Sequence, residues 1–397
     1  MTRGPRLRRV LLLLYVLAAF GDAAGKAIAA SPTGNAFLRQ VVHGHRAEQA
    51  VQRDSHPRGN FEIFRTASRH LFTGQDLYAE YPAEHTDRFK YSPTFALLFA
   101  PLAWLPWPLA LFLWSALNAL ALFVAVERLL PERQALVVQG ALLLEVLRAM
   151  QNAQSNALVA ALIVFAFVAL ERGRSWRAAL AVVVGACVKI FPLAALTFAI
   201  PRRRALRTGF AAAGAGVLLL ATPLLVATPA VLLAQYRSWQ GVEQVDAGQR
   251  WFSVMELLHR WFGVSWPNWP VQLAGTLLML LPLALRRERW TEHRFRLLYL
   301  CSVLMFVVLF NHQAERASYV IAFTGAAIWF ASEARAWWRS ALFAIAFVTI
   351  PLMSTLIPGS PASPTAMLYR LAVPMLAIWL VVQGELWRTT GETERVA

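Results

Sequence analysis

Long apolar runs broken by short arginine-bearing segments dominate the chain. Leu109 to Val126, Ala178 to Ile200, Phe210 to Ala227 and Ser340 to Ile357 each approach the roughly 20 residues a helix needs to cross about 30 Å of hydrocarbon. An earlier run, Val10 to Ala24, follows Arg3, Arg6, Arg8 and Arg9. That layout is shared with cleaved signal peptides, but many further spans follow, so it is read as an uncleaved first helix acting as signal anchor. The pattern predicts an all-α fold, a polytopic transmembrane helical bundle of about ten to twelve spans.

The polar breaks set the expected orientation. Basic clusters at the N-terminus, Arg172 to Arg177, Arg202 to Arg207, Arg286 to Arg296 and Arg335 to Arg339 mark cytoplasmic loops by the positive-inside rule. Two longer polar segments then fall outside, at about residues 30–90 and 228–268, with shorter outer loops at Asn311 to Ser318 and Pro358 to Thr365. One parity problem remains, because Arg172 to Arg177 and Arg202 to Arg207 lie only one span apart. Either Ala178 to Ile200, broken at Pro192, is a re-entrant hairpin with Phe95 to Leu105 a second partial insertion, or Phe95 to Leu105 is a full short span and the first cluster lies outside.

Composition strengthens the membrane reading: 58% of residues are hydrophobic and 15% charged, against about 25% charged in soluble domains. The net charge of +16 sits in those loops rather than in a nucleic-acid-binding face, so no nucleic acid is expected. Two cysteines, Cys187 and Cys301, both in apolar sequence, offer neither a disulfide framework nor a zinc site. No linker or repeat divides residues 1–397, which are read as a single membrane domain. Within the first outer segment, Phe61, Phe64, Ala67 and Leu71 recur at helical spacing, and Gly74 follows as a stop. This predicts an amphipathic helix lying on the membrane surface with its aromatic side down.

Candidate chemistry concentrates in four places. The first outer segment gathers Glu62, Asp76, Tyr78, Glu80, Tyr81, Glu84, His85, Asp87 and Tyr91. A solvated loop accounts for the charges, but not for the tyrosines. Sugars are held by carboxylates that bond their hydroxyls and by aromatic faces that cover their C–H side, and both are present. Lys189, in ACVKIFP, is one of three lysines in the protein; a lysine in apolar sequence faces a polar cavity, meets an anion, or snorkels to an interface. The amide-rich QNAQSN, Gln151 to Asn156, separates two apolar runs and puts forward Gln154 and Asn156 as substrate contacts, or is an ordinary polar turn. In NHQAERASY, Asn311 to Tyr319, His312 and Arg316 lie four apart on one helical face and could hold a phosphate together; an ion pair of Glu315 with a neighbour is the plainer alternative.

The run GQDLYAEYPAEHTDRFKYSPTFALLFAPLAWLP, Gly74 to Pro106, resembles glycosyltransferase family 87. So does the later pairing of QSNALVAAL, Gln154 to Leu162, with GACVKIFPLAAL, Gly185 to Leu196, in matching order. The likeness covers roughly Arg6 to Arg388. It implies a GT-C architecture with its active site on the outer face of the cell inner membrane. It also implies a polyprenyl-phosphate-linked sugar donor, a lipid or glycan acceptor, and an inverting transfer of a hexose, mannose in the best-known members. An aspartate near the start of the surface helix acts as general base in such enzymes, and the matching position here is Asn60, in GNFEIF. An amide cannot take a proton, so the role passes to Glu62, Asp76 or Asp87, or the member is catalytically altered. Donor phosphate contacts fall to Lys189, His312 and Arg316, and sugar contacts to Asn60, Tyr78, Tyr81, Tyr91, Gln154 and Asn156. The first segment has no DxD motif, so neither metal nor other cofactor is expected. A transporter or flippase of a lipid-linked sugar, or a non-catalytic partner, are the competing classes. The long outer segment and absence of repeats argue against the transporter.

Overall fold

The computed structural model describes residues 3–33, 59–85, 87–333, 336–353 and 363–388. Residues 34–58 of the first outer segment and the start of the last outer loop lie outside the described residues. What is described is helical, with no strand among the described residues. In chain order the helices are α1 (Arg3–Ala30), α2 (Asn60–Thr73), α3 (Pro93–Ala103), α4 (Trp107–Leu129), α5 (Glu132–Gln151), α6 (Asn156–Glu171) and α7 (Ser175–Val188). A 3₁₀ segment, Phe191–Ala199, precedes α8 (Ala205–Ala221), α9 (Pro229–Asp246), α10 (Val254–Phe262) and α11 (Asn268–Leu285). Then come α12 (His293–Leu309), α13 (Tyr319–Ser332), α14 (Trp337–Phe347) with a π turn at Val348–Leu352, and α15 (Pro364–Trp387).

Five of these, α1, α4, α8 with its 3₁₀ extension, α11 and α15, are long and apolar enough to cross a membrane. Helices α5, α6, α12 and α13 pack against them and against one another. At one end the arginine clusters meet. Arg202 and Arg296 both pair with Glu171, at 2.5 and 2.8 Å. Arg294 pairs with Glu333 at 2.8 Å, and Arg339 with Glu385 at 2.6 Å. Several of the positive-inside arginines are thus fastened to carboxylates at the helix ends.

This end settles the parity problem. Chain leaving Arg174 climbs through α7, breaks at Lys189, which is extended (φ −146°, ψ 134°), and returns through the 3₁₀ segment. Arg202 then pairs with Glu171, and Arg204 Nη1 donates to the Gly173 carbonyl at 3.0 Å. Both arginine clusters therefore share one end, and Ala178 to Ile200 is a hairpin. Close approach of its limbs requires Gly185, where a Cβ would lie 3.0 Å from the Pro192 ring. With 11 residues, α3 reaches about 16 Å, too short to cross.

The expected helix of the first outer segment is α2, and Gly74 ends it in the left-handed conformation (φ 72°) as C-cap chemistry requires. Its apolar face does not lie on lipid. Phe61, Phe64, Ala67 and Leu71 are buried in the protein, and Phe64 sits at the centre of rings from Tyr91, Phe95, Phe99 and Trp114, with centroids 4.9 to 5.8 Å away. Enough aromatic surface is available in the protein itself to make burial there complete. The second outer segment is also structured: α9, started by Thr228 accepting from Val231 N–H at 3.4 Å, and α10, ended by Gly263.

Candidate active site

A cavity of about 550 Å³ opens at the end of the bundle opposite the arginines. Four pieces of chain build it. The hairpin tip brings Lys189; the stretch before α3 brings Asp87, Arg88, Lys90 and Tyr91; α9 brings Trp239, Glu243 and Asp246; the turn after α12 brings His312, Gln313 and Glu315. Asn60 and Gln154 complete the polar wall. Below them Ile190, Phe191, Leu193, Phe306 and Phe310 line an apolar floor.

Local chemistry holds these pieces in place. Ser92 caps α3 by accepting from Phe95 N–H at 3.2 Å, and its hydroxyl donates to the Cys187 carbonyl at 2.6 Å. That one side chain ties the hairpin tip to the start of α3. Helix α9 is stitched to the first outer segment: Leu77 N–H donates to Gln235 Oε1 at 3.0 Å, Gln235 Nε2 to the Gln75 carbonyl at 2.9 Å, and Ser238 Oγ to Asp76 Oδ2 at 3.0 Å. Trp239, Glu243 and Asp246 then project from one face, being four and three residues apart.

Charge in the cavity is unevenly committed. Lys90 pairs with Asp246 at 3.1 Å and with Asp87 at 3.7 Å; burial opposes its charge, yet Asp87 and Asp246 outweigh that and raise its pKa. Lys189 differs. Among the described residues no carboxylate lies within ion-pair distance of its ammonium, and its recorded neighbour is the Tyr91 ring, 5.9 Å from Nζ. Glu315 accepts from Gln154 Nε2 at 3.1 Å. Burial pushes the Glu243 carboxyl up, and the Asp246 charge adds to this. Trp251, at the cavity wall, has a positive φ of 32°, a conformation that bulky residues avoid and that tends to persist where function holds it.

Burial lowers the pKa of His312, which favours the neutral imidazole. Its tautomer follows from a neighbour. Gln272 Nε2 donates to the Phe310 carbonyl at 3.2 Å, which fixes the amide's orientation, and the same nitrogen faces His312 Nδ1 at 3.3 Å. Nδ1 is then the acceptor and Nε2 carries the proton. That Nε2 has no partner among the described residues, leaving a buried donor available to a ligand.

Of the twelve residues put forward from sequence, the cavity brings together Asn60, Asp87, Tyr91, Gln154, Lys189 and His312. The other six lie elsewhere. Asp76 accepts from Tyr78 N–H at 3.1 Å and from Ser238, which makes it a turn and docking residue. Tyr78 is buried and donates to the Tyr91 carbonyl at 2.7 Å. Tyr81 donates to the Asp76 carbonyl at 2.8 Å and lines a neighbouring cavity of about 380 Å³. Glu62 sits in the first turn of α2, two residues from Asn60 and on another face. Arg316 makes a two-pronged pair with buried Glu145, at 2.9 and 2.5 Å. Asn156 is fully buried at the start of α6. Asn60 itself donates to the Asn152 carbonyl at 3.0 Å, so its amide anchors α2 to the QNAQSN turn.

Reasoning from sequence missed Trp239, Glu243 and Asp246. Their signal was a carboxylate and an indole at helical spacing, in a segment read as an outer loop.

The family model of glycosyltransferase family 87 matches residues 89–310, more than half of the chain. Among curated proteins there is no match.

Proposed function

Since the chain belongs to glycosyltransferase family 87, we propose that it moves a hexose, mannose by the family's best-known pattern, from a polyprenyl phosphate to a cell-envelope lipid or glycan. The transfer takes place with inversion, on the outer face of the cell inner membrane. The observation that carries the reading is the uncommitted Lys189 ammonium, set between the apolar floor and the polar wall of one cavity. A prenyl chain fits the floor, its phosphate meets Lys189, and the sugar reaches the carboxylates and indoles above. The leaving group is a phosphate whose negative charge grows as the glycosidic bond breaks, and a fixed cation beside it stabilises that growth. His312 Nε2–H supplies a second, neutral donor. A helical bundle with a polar-walled cavity toward one end supports the GT-C expectation.

The test is transfer itself. Purified protein in proteoliposomes is offered radiolabelled polyprenyl phosphate mannose or polyprenyl phosphate glucose with a bacterial lipid extract. Label is expected in a new glycolipid or glycan with one of the two donors. Label that stays wholly in the donor with both would overturn the reading.

A further inference from the structure

Glycosyl transfer from a phosphate donor needs a group that accepts the proton of the attacking hydroxyl. At Asn60 the chain has an amide engaged with the Asn152 carbonyl, and Asp76 and Glu62 do not line the cavity. Four carboxylates do: Asp87, Glu243, Asp246 and Glu315. Asp246 is buried and ion-paired to Lys90, and accepts from Gln249 at 3.1 Å as well. Asp87 is 58% exposed, lies within 3.7 Å of Lys90, and accepts from the Arg88 N–H. Glu315 accepts from Gln154, and its charge is the one that acts on Lys189. A carboxylate in that place acts on the phosphate-binding lysine from beyond ion-pair distance.

Glu243 is left. Gln313 Nε2 lies 3.5 Å from it and also reaches Asp246 at 3.3 Å, and the Trp239 indole N–H faces it from its own helix. No Lys, Arg or His nitrogen among the described residues lies within ion-pair distance of it. It stands one helical turn from Trp239, whose indole lines the same cavity, and that pairing of carboxylate and aromatic face is what a sugar hydroxyl and its ring require.

We propose that Glu243, on the helix of the second outer segment, is the general base that deprotonates the acceptor hydroxyl. This assignment rests on the glycosyl-transfer reading above. In the step, the hydroxyl proton passes to a Glu243 oxygen, the acceptor oxygen bonds to the anomeric carbon, and the bond from that carbon to the phosphate oxygen breaks. The electron pair of that bond stays on the phosphate, so polyprenyl phosphate leaves as the dianion. The groups facing Glu243 are Asp246 and Trp239 on its own helix, Lys90 from the first outer segment and Gln313 from the turn after α12. Burial and the Asp246 charge raise its proton affinity, hydrogen bonds from Trp239 and Gln313 and the Lys90 charge lower it, and the increase prevails. A base of that kind loses activity as pH falls through its pKa, above the ordinary carboxylate value of about 4.3.

The experiment measures turnover and its pH profile for wild type, Glu243→Gln and Glu243→Asp in proteoliposomes. Binding of polyprenyl phosphate, followed by tryptophan fluorescence, serves as the control for folding. Glu243→Gln is expected to lower kcat by about 10²- to 10⁴-fold while binding polyprenyl phosphate as wild type does. Glu243→Asp keeps a carboxylate set back by one methylene and is expected to keep measurable turnover with its acidic limb displaced. A Glu243→Gln kcat within a few-fold of wild type overturns the assignment alone. Should the Gln variant fail to fold, an acidic limb unmoved in Glu243→Asp does the same. No transfer by the wild type with either donor overturns the transfer reading and the assignment together.

Discussion

At the scale of single residues, what matters is whether a charge is already engaged. Lys189 and Lys90 are both cavity lysines, yet Lys90 is held between two carboxylates and Lys189 faces a tyrosine ring. A half-buried ammonium with no carboxylate in ion-pair reach among the described residues destabilises the empty protein, and such a cost persists where a ligand uses the charge. Lys189→Met should therefore weaken polyprenyl phosphate binding by ~30-fold, the equivalent of about 2 kcal/mol for a hydrogen bond to a charged group. The ligand-free melting temperature should hold or rise. A variant that melts lower and binds as before would show a structural lysine. Lys189 was legible from sequence because a charge isolated in apolar residues stands out by composition. Glu243 was not, because an outer segment is expected to carry acids, and only the docking of α9 distinguishes this one from Glu80 or Glu84. Tyr78 misled for a related reason: the sequence shows an aromatic ring but not the Tyr91 carbonyl that its hydroxyl already satisfies.

Elements were readable where their cause is local. The period of Phe61, Phe64, Ala67 and Leu71 gave α2, and Gly74 its end, but the surface that buries that face comes from α3 and α4, which no local pattern specifies. Likewise His312 and Arg316 share a helical spacing, yet the chain between them forms a turn and a short 3₁₀ segment, so they part company. Arg316 joins three elements: from the 3₁₀ segment before α13 it pairs with Glu145 of α5 and donates to the Ile350 carbonyl in the π turn after α14 at 3.0 Å. Glu145 is 1% exposed. Removing one partner of such a pair costs about 3–5 kcal/mol because the other charge stays buried. Arg316→Met should lower the thermal midpoint in detergent sharply, and Arg316→Met with Glu145→Met should recover much of the loss. A single variant with normal stability and weakened polyprenyl phosphate binding would instead make Arg316 a ligand of the donor.

Across the whole molecule, charge separates the two ends. The arginine clusters of the expected cytoplasmic loops gather with their carboxylate partners at one, while the cavity opens at the other, and the hairpin at Lys189 is what lets two of those clusters return to the same end. By the positive-inside rule the cavity is expected outside the cell membrane, where the proposed donor would present its sugar. The arrangement is testable with cysteines. Both native ones, Cys187 and Cys301, are buried, so the background is low. Arg177 and Arg207 are exposed on either side of the hairpin at the arginine end, and Gly248 is exposed beside the cavity. A membrane-impermeant maleimide added to intact cells with a permeable outer barrier should label Gly248→Cys and neither Arg177→Cys nor Arg207→Cys until the membrane is opened. Labelling of Arg177→Cys and Arg207→Cys from opposite sides would mean that the segment crosses fully and would undo the hairpin. Labelling of both from outside would invert the bundle and place the cavity, with Lys189 and Glu243, on the cytoplasmic face.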